Sequence, residues 1–171
     1  AAGERRRVRH KYYHTIDNHS YAASALNGPY AYQFDIDNRD LNFMATFSAG
    51  NDGGAGISPD MSKNVMIVGA TDFDGNYASF SSTGPIGTND RIVPDISAIG
   101  EHILATAIGG GYSRTSGTSF SSPSVAGMYV LLQQLHRERF KGMQISADVG
   151  KLALIHTAVD KGVIGPDYNY G

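Results

Sequence analysis

Two apolar runs, each stopped by a glycine-bearing turn, constrain this chain more than any other feature. Asn42 to Ala49 (NFMATFSA) breaks at Gly50-Asn51-Asp52-Gly53-Gly54, and Val65 to Ala70 (VMIVGA) is followed by the turn Asp74-Gly75-Asn76. The second run offers no polar alternation, so it has no solvent face. Strands of that kind are buried on both sides, the condition of a parallel sheet covered by helices.

The remaining segments fit around those two. Tyr12 to Tyr21 (YYHTIDNHSY) is rich in β-formers and reads as a strand ending near Ser20, and Ile92–Ala98 and Ile103–Ile108 read as further short strands separated by Gly100. Three helices are expected. Ala31 to Leu41 carries Tyr32, Phe34, Ile36 and Leu41 among acids and amides. A second helix should run from Ser119 to about Phe140, with Val125, Met128, Tyr129, Leu132 and Leu135 on its inner face. The third, Ala147 to Val159, repeats Val149, Leu152, Ala153, Ile155 and His156 at three-to-four spacing. Asn27-Gly28-Pro29 marks a turn, and Gly165 to Gly171 is loop-like. Buried strands alternating with helices predict an α/β fold: three layers, a mostly parallel sheet, helices on both faces. Function in such folds sits in loops at the strand C-termini. No internal repeat or second domain is visible. Residues 1–11 read as a basic arm or linker and 12–171 as one domain.

Composition excludes several classes. With 171 residues and 41% hydrophobic content the chain can bury a real core. Its formal net charge is -2, which argues against nucleic-acid or membrane-surface binding by the chain as a whole. The charge is uneven: five basic residues against Glu4 give the first eleven residues +4, leaving -6 for the rest. There is no cysteine, so disulfides, thiolate metal sites and thiol catalysis are excluded. No secretory leader is readable and no run of about 18 apolar residues exists to span a membrane.

The chemistry-bearing stretch is Thr115-Ser116-Gly117-Thr118-Ser119-Phe120-Ser121-Ser122-Pro123-Ser124-Val125-Ala126-Gly127. Small hydroxyl residues follow the glycines 109–111 and lead into the apolar helix. Ser119 would stand at a helix start, where unpaired N–H groups and the helix dipole favour negative charge. That suits a nucleophile whose attack creates an oxyanion. The same residue could be an ordinary Ser/Thr helix cap. Likewise Asn51, among glycines, could be a turn asparagine.

Several motifs in order add to this reading. Gly117-Thr118-Ser119 with Ser122-Pro123-Ser124-Val125-Ala126-Gly127 resembles the nucleophile signature of the subtilisin-like serine proteases. Ser48-Ala49-Gly50-Asn51-Asp52-Gly53 resembles that family's oxyanion loop, Val65–Asp72 with Ala78–Pro85 its next strand and turn, and Pro94-Asp95-Ile96-Ser97-Ala98 with Gly100 the turn after. Asn18-His19-Ser20-Tyr21 resembles its substrate-binding edge strand. Leu154–Val159 and Gly165–Gly171 resemble the last core helix and the turn beyond it. The likeness spans about residues 15 to 171.

The resemblance implies a serine endopeptidase. Ser119 would be the acylating nucleophile, with Asn51 and the Ser119 N–H binding the oxyanion. Ser20 and Tyr21 would pair with an extended peptide. Ser48 and Ala49 would wall the specificity pocket, and Gly50, Gly53, Gly117 and Thr118 would bring backbone close to substrate. No cofactor or metal is needed for the chemistry, although the resemblance allows structural calcium, Asp95 being the position of interest. Export to the cell envelope or medium is also implied. Ala22, where the family commonly has glycine, is a departure affecting the pocket.

The larger departure is the base. The mechanism needs a histidine to take the serine proton and an aspartate to orient it. In this family both precede the edge strand by tens of residues, and only 19 residues precede Ser20. His14 and His19 with Asp17 lie on or beside the edge strand; His102, His136 and His156 fall in a loop and two helices. All read as structural or surface histidines. Three readings follow: the C-terminal portion of a subtilisin-like catalytic domain, its Asp and His on a missing N-terminal segment or a second polypeptide; a non-catalytic peptide-binding relative; or an α/β esterase. Against the last, the nucleophile context is G-T-S-F-S, not G-x-S-x-G. An isolated piece of this kind is expected to expose apolar surface.

Overall fold

The structure is a computed structural model, and it describes residues 15–21, 29–55, 62–86 and 90–171. The basic arm at 1–11, Ala22, His14 and most of the Asn27-Gly28-Pro29 turn lie outside the described residues.

The central sheet has four strands in the order β1-β2-β4-β6: β1 (Ile16–His19), β2 (Met44–Ser48), β4 (Met66–Thr71) and β6 (Ile96–Ile99). All pair in parallel, Ile16 opposite Met44, Thr46 opposite Met66 and Val68 opposite Ile96. Every residue of β2 and β4 is buried. The reason is visible in their alternation. Phe43, Ala45, Phe47 and Ala49 point to one face with Val65 and Ile67, where they meet Phe34 and Leu41 of helix α1 (Pro29–Leu41). Met44, Met66 and Val68 point to the other, against Val125 and Tyr129 of helix α2 (Thr118–Arg139). The expected three layers are therefore present, with a helix on each face.

Elsewhere the architecture departs from simple alternation of strands and helices. Two short strands, β3 (Gly54–Ala55) and β5 (Ser82–Thr83), form a small parallel pair beside the sheet. The segment expected as another strand of the sheet, Ile103–Ile108, instead begins an antiparallel hairpin of β7 (Ile103–Thr106) with β8 (Tyr112–Thr115). Gly109, Gly110 and Gly111 turn it, all with positive φ, a conformation only glycine adopts freely. Its apolar positions alternate with solvent, so it has one covered face at most, and Ile108 stands fully exposed.

Helix α3 (Ala147–His156) inverts the expected face. Val149, Leu152 and Ile155 are exposed, while Ala147 and Gly150 are buried and Leu154 packs on the core. Close approach decides this: a Cβ on Gly150 would come within 2.3 Å of the Tyr129 ring. Small residues let the backbones meet, and that contact outweighs the bulkier stripe. On α2, Val125 and Tyr129 are buried as expected, but Met128 and Leu135 of the same spacing are exposed, as is Leu131. No helix among the described residues is long and apolar enough to cross a membrane.

Candidate active site

The C-terminal ends of β1 and β2 and the start of α2 converge at one edge of the sheet. There the chain runs from His19 into Ser20, from Ser48 into Gly50 and Asn51, and from Gly117 into α2. The N-cap of α2 is Gly117, which makes no side-chain capping bond, so Ser119 lies one position inside the helix and is not its cap. Its hydroxyl donates to the Ser20 carbonyl at 3.5 Å, the outer limit of a hydrogen bond.

Asn51 is held by one end only. Its Oδ1 accepts from the Thr118 N–H at 2.9 Å and lies 3.0 Å from Thr118 Oγ1. The Thr118 hydroxyl accepts from the Gly50 N–H at 3.2 Å, its single proton going to Asn51 Oδ1 or to the Gly50 carbonyl. With the oxygen committed, the amide Nδ2 remains as a donor. Gly117 is where this donor meets the helix start: a Cβ there would lie 3.4 Å from Asn51 Nδ2 and 3.8 Å from the Ser119 nitrogen. Two N–H donors thus flank a glycine that contributes no side chain. The Gly50 backbone, at φ 113°, favours glycine, and its carbonyl accepts from Ser82 N. Gly100 supports the same turn from beneath, its carbonyl accepting the Gly117 N–H at 2.8 Å.

Of the residues expected at the site, Ser20, Gly50, Asn51, Gly117, Thr118 and Ser119 are brought together. Thr118 is wholly buried and serves inside the wall, as a clamp on Asn51. Ser48 and Ala49 lie below the surface: Ala49 joins the core beside Phe47, and Ser48 Oγ reaches the His19 carbonyl at 3.5 Å. Tyr21 turns its ring away, its hydroxyl 2.9 Å from His19 Nδ1.

Strand alternation separates His19 from the serine. Asn18 and Ser20 face α2, whereas His19 stacks on Phe47 at 4.3 Å on the α1 face, with Asp17 3.9 Å away. His136 is tied to the Met143 carbonyl, His102 lies at an exposed turn against Ser116, and His156 is exposed at the end of α3. Asp95 is occupied by the Ile67 N–H, by Lys151 at 3.0 Å and by Arg91 at 3.7 Å. Sequence reasoning missed Asn18, which hydrogen-bonds both Ser122 of α2 and Ser20.

A parallel α/β sheet here presents a helix-start serine beside an asparagine amide whose oxygen alone is engaged. The sequence model of the subtilase family matches residues 10–171, and the chain belongs to that family. It is 35% identical over 126 residues to the subtilisin-like protease SBT6.1 of Arabidopsis thaliana, an alignment covering 68% of this chain and 12% of the relative. Over 98 residues it is 36% identical to the subtilisin-like protease PopC of Myxococcus xanthus, 54% of this chain and 20% of that one. Among solved structures, the patellamide maturation protease PatA superposes with a TM-score of 0.76 at 27% identity, covering 95% of this chain and 59% of PatA. The chain thus spans a minor share of the curated relatives and under three-fifths of the solved one.

Proposed function

We propose that this chain carries the nucleophile and oxyanion hole of a serine endopeptidase. In this reading Ser119 Oγ attacks the scissile carbonyl of an extended peptide. The oxygen takes the electron pair of the C=O bond and is met by Asn51 Nδ2 and the Ser119 N–H. The serine proton passes to a histidine base, which then protonates the departing amine as the C–N bond breaks. Water repeats the sequence in reverse on the acyl-serine. The base and its aspartate belong, on this proposal, to a segment of the full-length protein outside this chain. Two observations support that: His19 is stacked on Phe47 and His136 is tied to the Met143 carbonyl, and the relatives extend well beyond the matched region.

The observation that carries the proposal is the one-sided clamp on Asn51, whose oxygen is fixed by Thr118 while its amide is left beside the Ser119 nitrogen. A protein that only bound peptides would gain nothing from such a donor. Ser20 and Tyr21 would offer their backbone to the peptide, next to Gly50 and Gly117, and Ser48 and Ala49 would back the pocket.

The full-length protein should cleave casein, and Ser119→Ala should abolish cleavage while leaving the protein folded. Hydrolysis of short-chain esters without casein cleavage would point to an esterase. Casein cleavage undiminished in Ser119→Ala would overturn the assignment.

A further inference from the structure

Pro123 lies inside α2, four residues after Ser119. In an α-helix the Ser119 carbonyl would accept the N–H of residue 123. Proline has no N–H, and its ring crowds the carbonyl four residues earlier. The Ser119 carbonyl is thereby denied its helical donor. Ser20 Oγ supplies one instead, donating to the Ser119 oxygen at 2.9 Å from a position 99 residues away in sequence.

The Ser20 hydroxyl has one proton, and its direction is set by Asn18. The Asn18 Nδ2 donates to Ser20 Oγ at 3.0 Å, so Ser20 accepts there and its own proton is left for Ser119. The Asn18 amide cannot flip without loss, because its Oδ1 accepts from the fully buried Ser122 hydroxyl at 2.8 Å and from Thr46 Oγ1 at 3.2 Å. Ser122 belongs to the same first turns of α2 as Ser119. Strand β1 and the residue that follows it therefore grip the start of the helix at two points, with a fixed donor-to-acceptor order.

We propose that Asn18 is a positioning residue for the nucleophile, acting through Ser20 to replace the hydrogen bond that Pro123 withholds. The effect is to fix the backbone of Ser119, and with it the aim of the Ser119 N–H and hydroxyl, against the strand end that would meet the peptide. This rests on Ser119 being the nucleophile.

Asn18→Asp isolates the effect. The carboxylate still accepts from Ser122 and Thr46 but has no proton for Ser20. The Ser20 hydroxyl then turns to the carboxylate and releases the Ser119 carbonyl. In the full-length protein, Asn18→Asp and Ser20→Ala should each slow acylation by a fluorophosphonate roughly tenfold, about the weight of one hydrogen bond. The pair together should be no slower than either alone. Pro123→Ala restores an N–H at 123 and should recover most of the rate lost in Asn18→Asp. An unchanged rate in Asn18→Asp, losses that multiply in the double variant, or no recovery with Pro123→Ala would each overturn the proposal. Melting midpoints give a second reading that does not depend on activity. Ser20→Ala should lower the midpoint with Pro123 present and much less with alanine there; equal losses would overturn the proposal. If the unaltered protein takes no label at Ser119, the nucleophile assignment itself fails, and the melting cycle still decides the hydrogen-bond exchange.

Discussion

Asn51 does its proposed work with one half of its amide. The oxygen is engaged by Thr118 and the nitrogen is free to donate, so the two halves can be separated by substitution. Asn51→Asp keeps the acceptor for Thr118 and replaces the donor with a repelling oxygen. It should hold the loop in place yet reduce kcat of the full-length protein by roughly 10²- to 10³-fold, as loss of one oxyanion donor does. Near-normal kcat in that variant would remove Asn51 from the chemistry. Gly100 offers a contrasting residue-scale test. A Cβ there would meet Ser121 Oγ at 2.2 Å and the Gly117 carbonyl at 2.8 Å. Gly100→Ala should therefore cost about 1–3 kcal/mol in denaturant unfolding, the usual penalty of overpacking. Ser119 and Asn51 could be singled out as candidates because each stands in a short, ordered cluster of glycines and hydroxyls. The contacts of Asn18 with Ser122 and of Thr118 with Asn51 could not be read there: they bring together positions 67 to 104 residues apart, which no local spacing reports.

At the scale of elements, the runs Asn42–Ala49 and Val65–Ala70 were readable because burial on both faces removes all alternation. The faces of α2 and α3 were not, because each helix offers two overlapping apolar stripes and tertiary contact chooses between them. In α3 the choice falls on Ala147 and on Gly150, which meets Tyr129, with Lys151 also largely covered. Lys151 Nζ ties the helix to the sheet, donating to the Val65 carbonyl at 2.6 Å and pairing with Asp95 at 3.0 Å. Burial pushes the Lys151 pKa below the ordinary lysine value of 10.5, and Asp95 opposes that shift without cancelling it. Between the lowered folded value and 10.5 the unfolded chain holds more protons than the folded one, so stability should rise with pH through that window. Unfolding midpoints followed through the alkaline range up to 10.5 should show this rise, and Lys151→Met should flatten it. An identical slope in the variant would place the titration elsewhere.

The whole molecule presents an asymmetric surface. One edge of the parallel sheet is β1, which pairs only with β2 among the described residues, and α2 exposes Met128, Leu131 and Leu135. Contiguous apolar surface of this kind marks a contact region or an aggregation hazard. The chain expressed alone should bind an apolar-surface dye strongly, and co-expression with the segment proposed to carry the base should reduce that signal. Equal dye binding in both preparations would mean that this face stays open in the full-length protein.

The most direct test of the central claim is covalent. Treated with a fluorophosphonate, the full-length protein should acquire one adduct, located at Ser119 by mass spectrometry of the digested peptide. The isolated chain, lacking the proposed base, should react far more slowly. An adduct at another residue, or equally rapid labelling of Ser119 in the isolated chain, would contradict the account of a nucleophile whose base lies outside this chain.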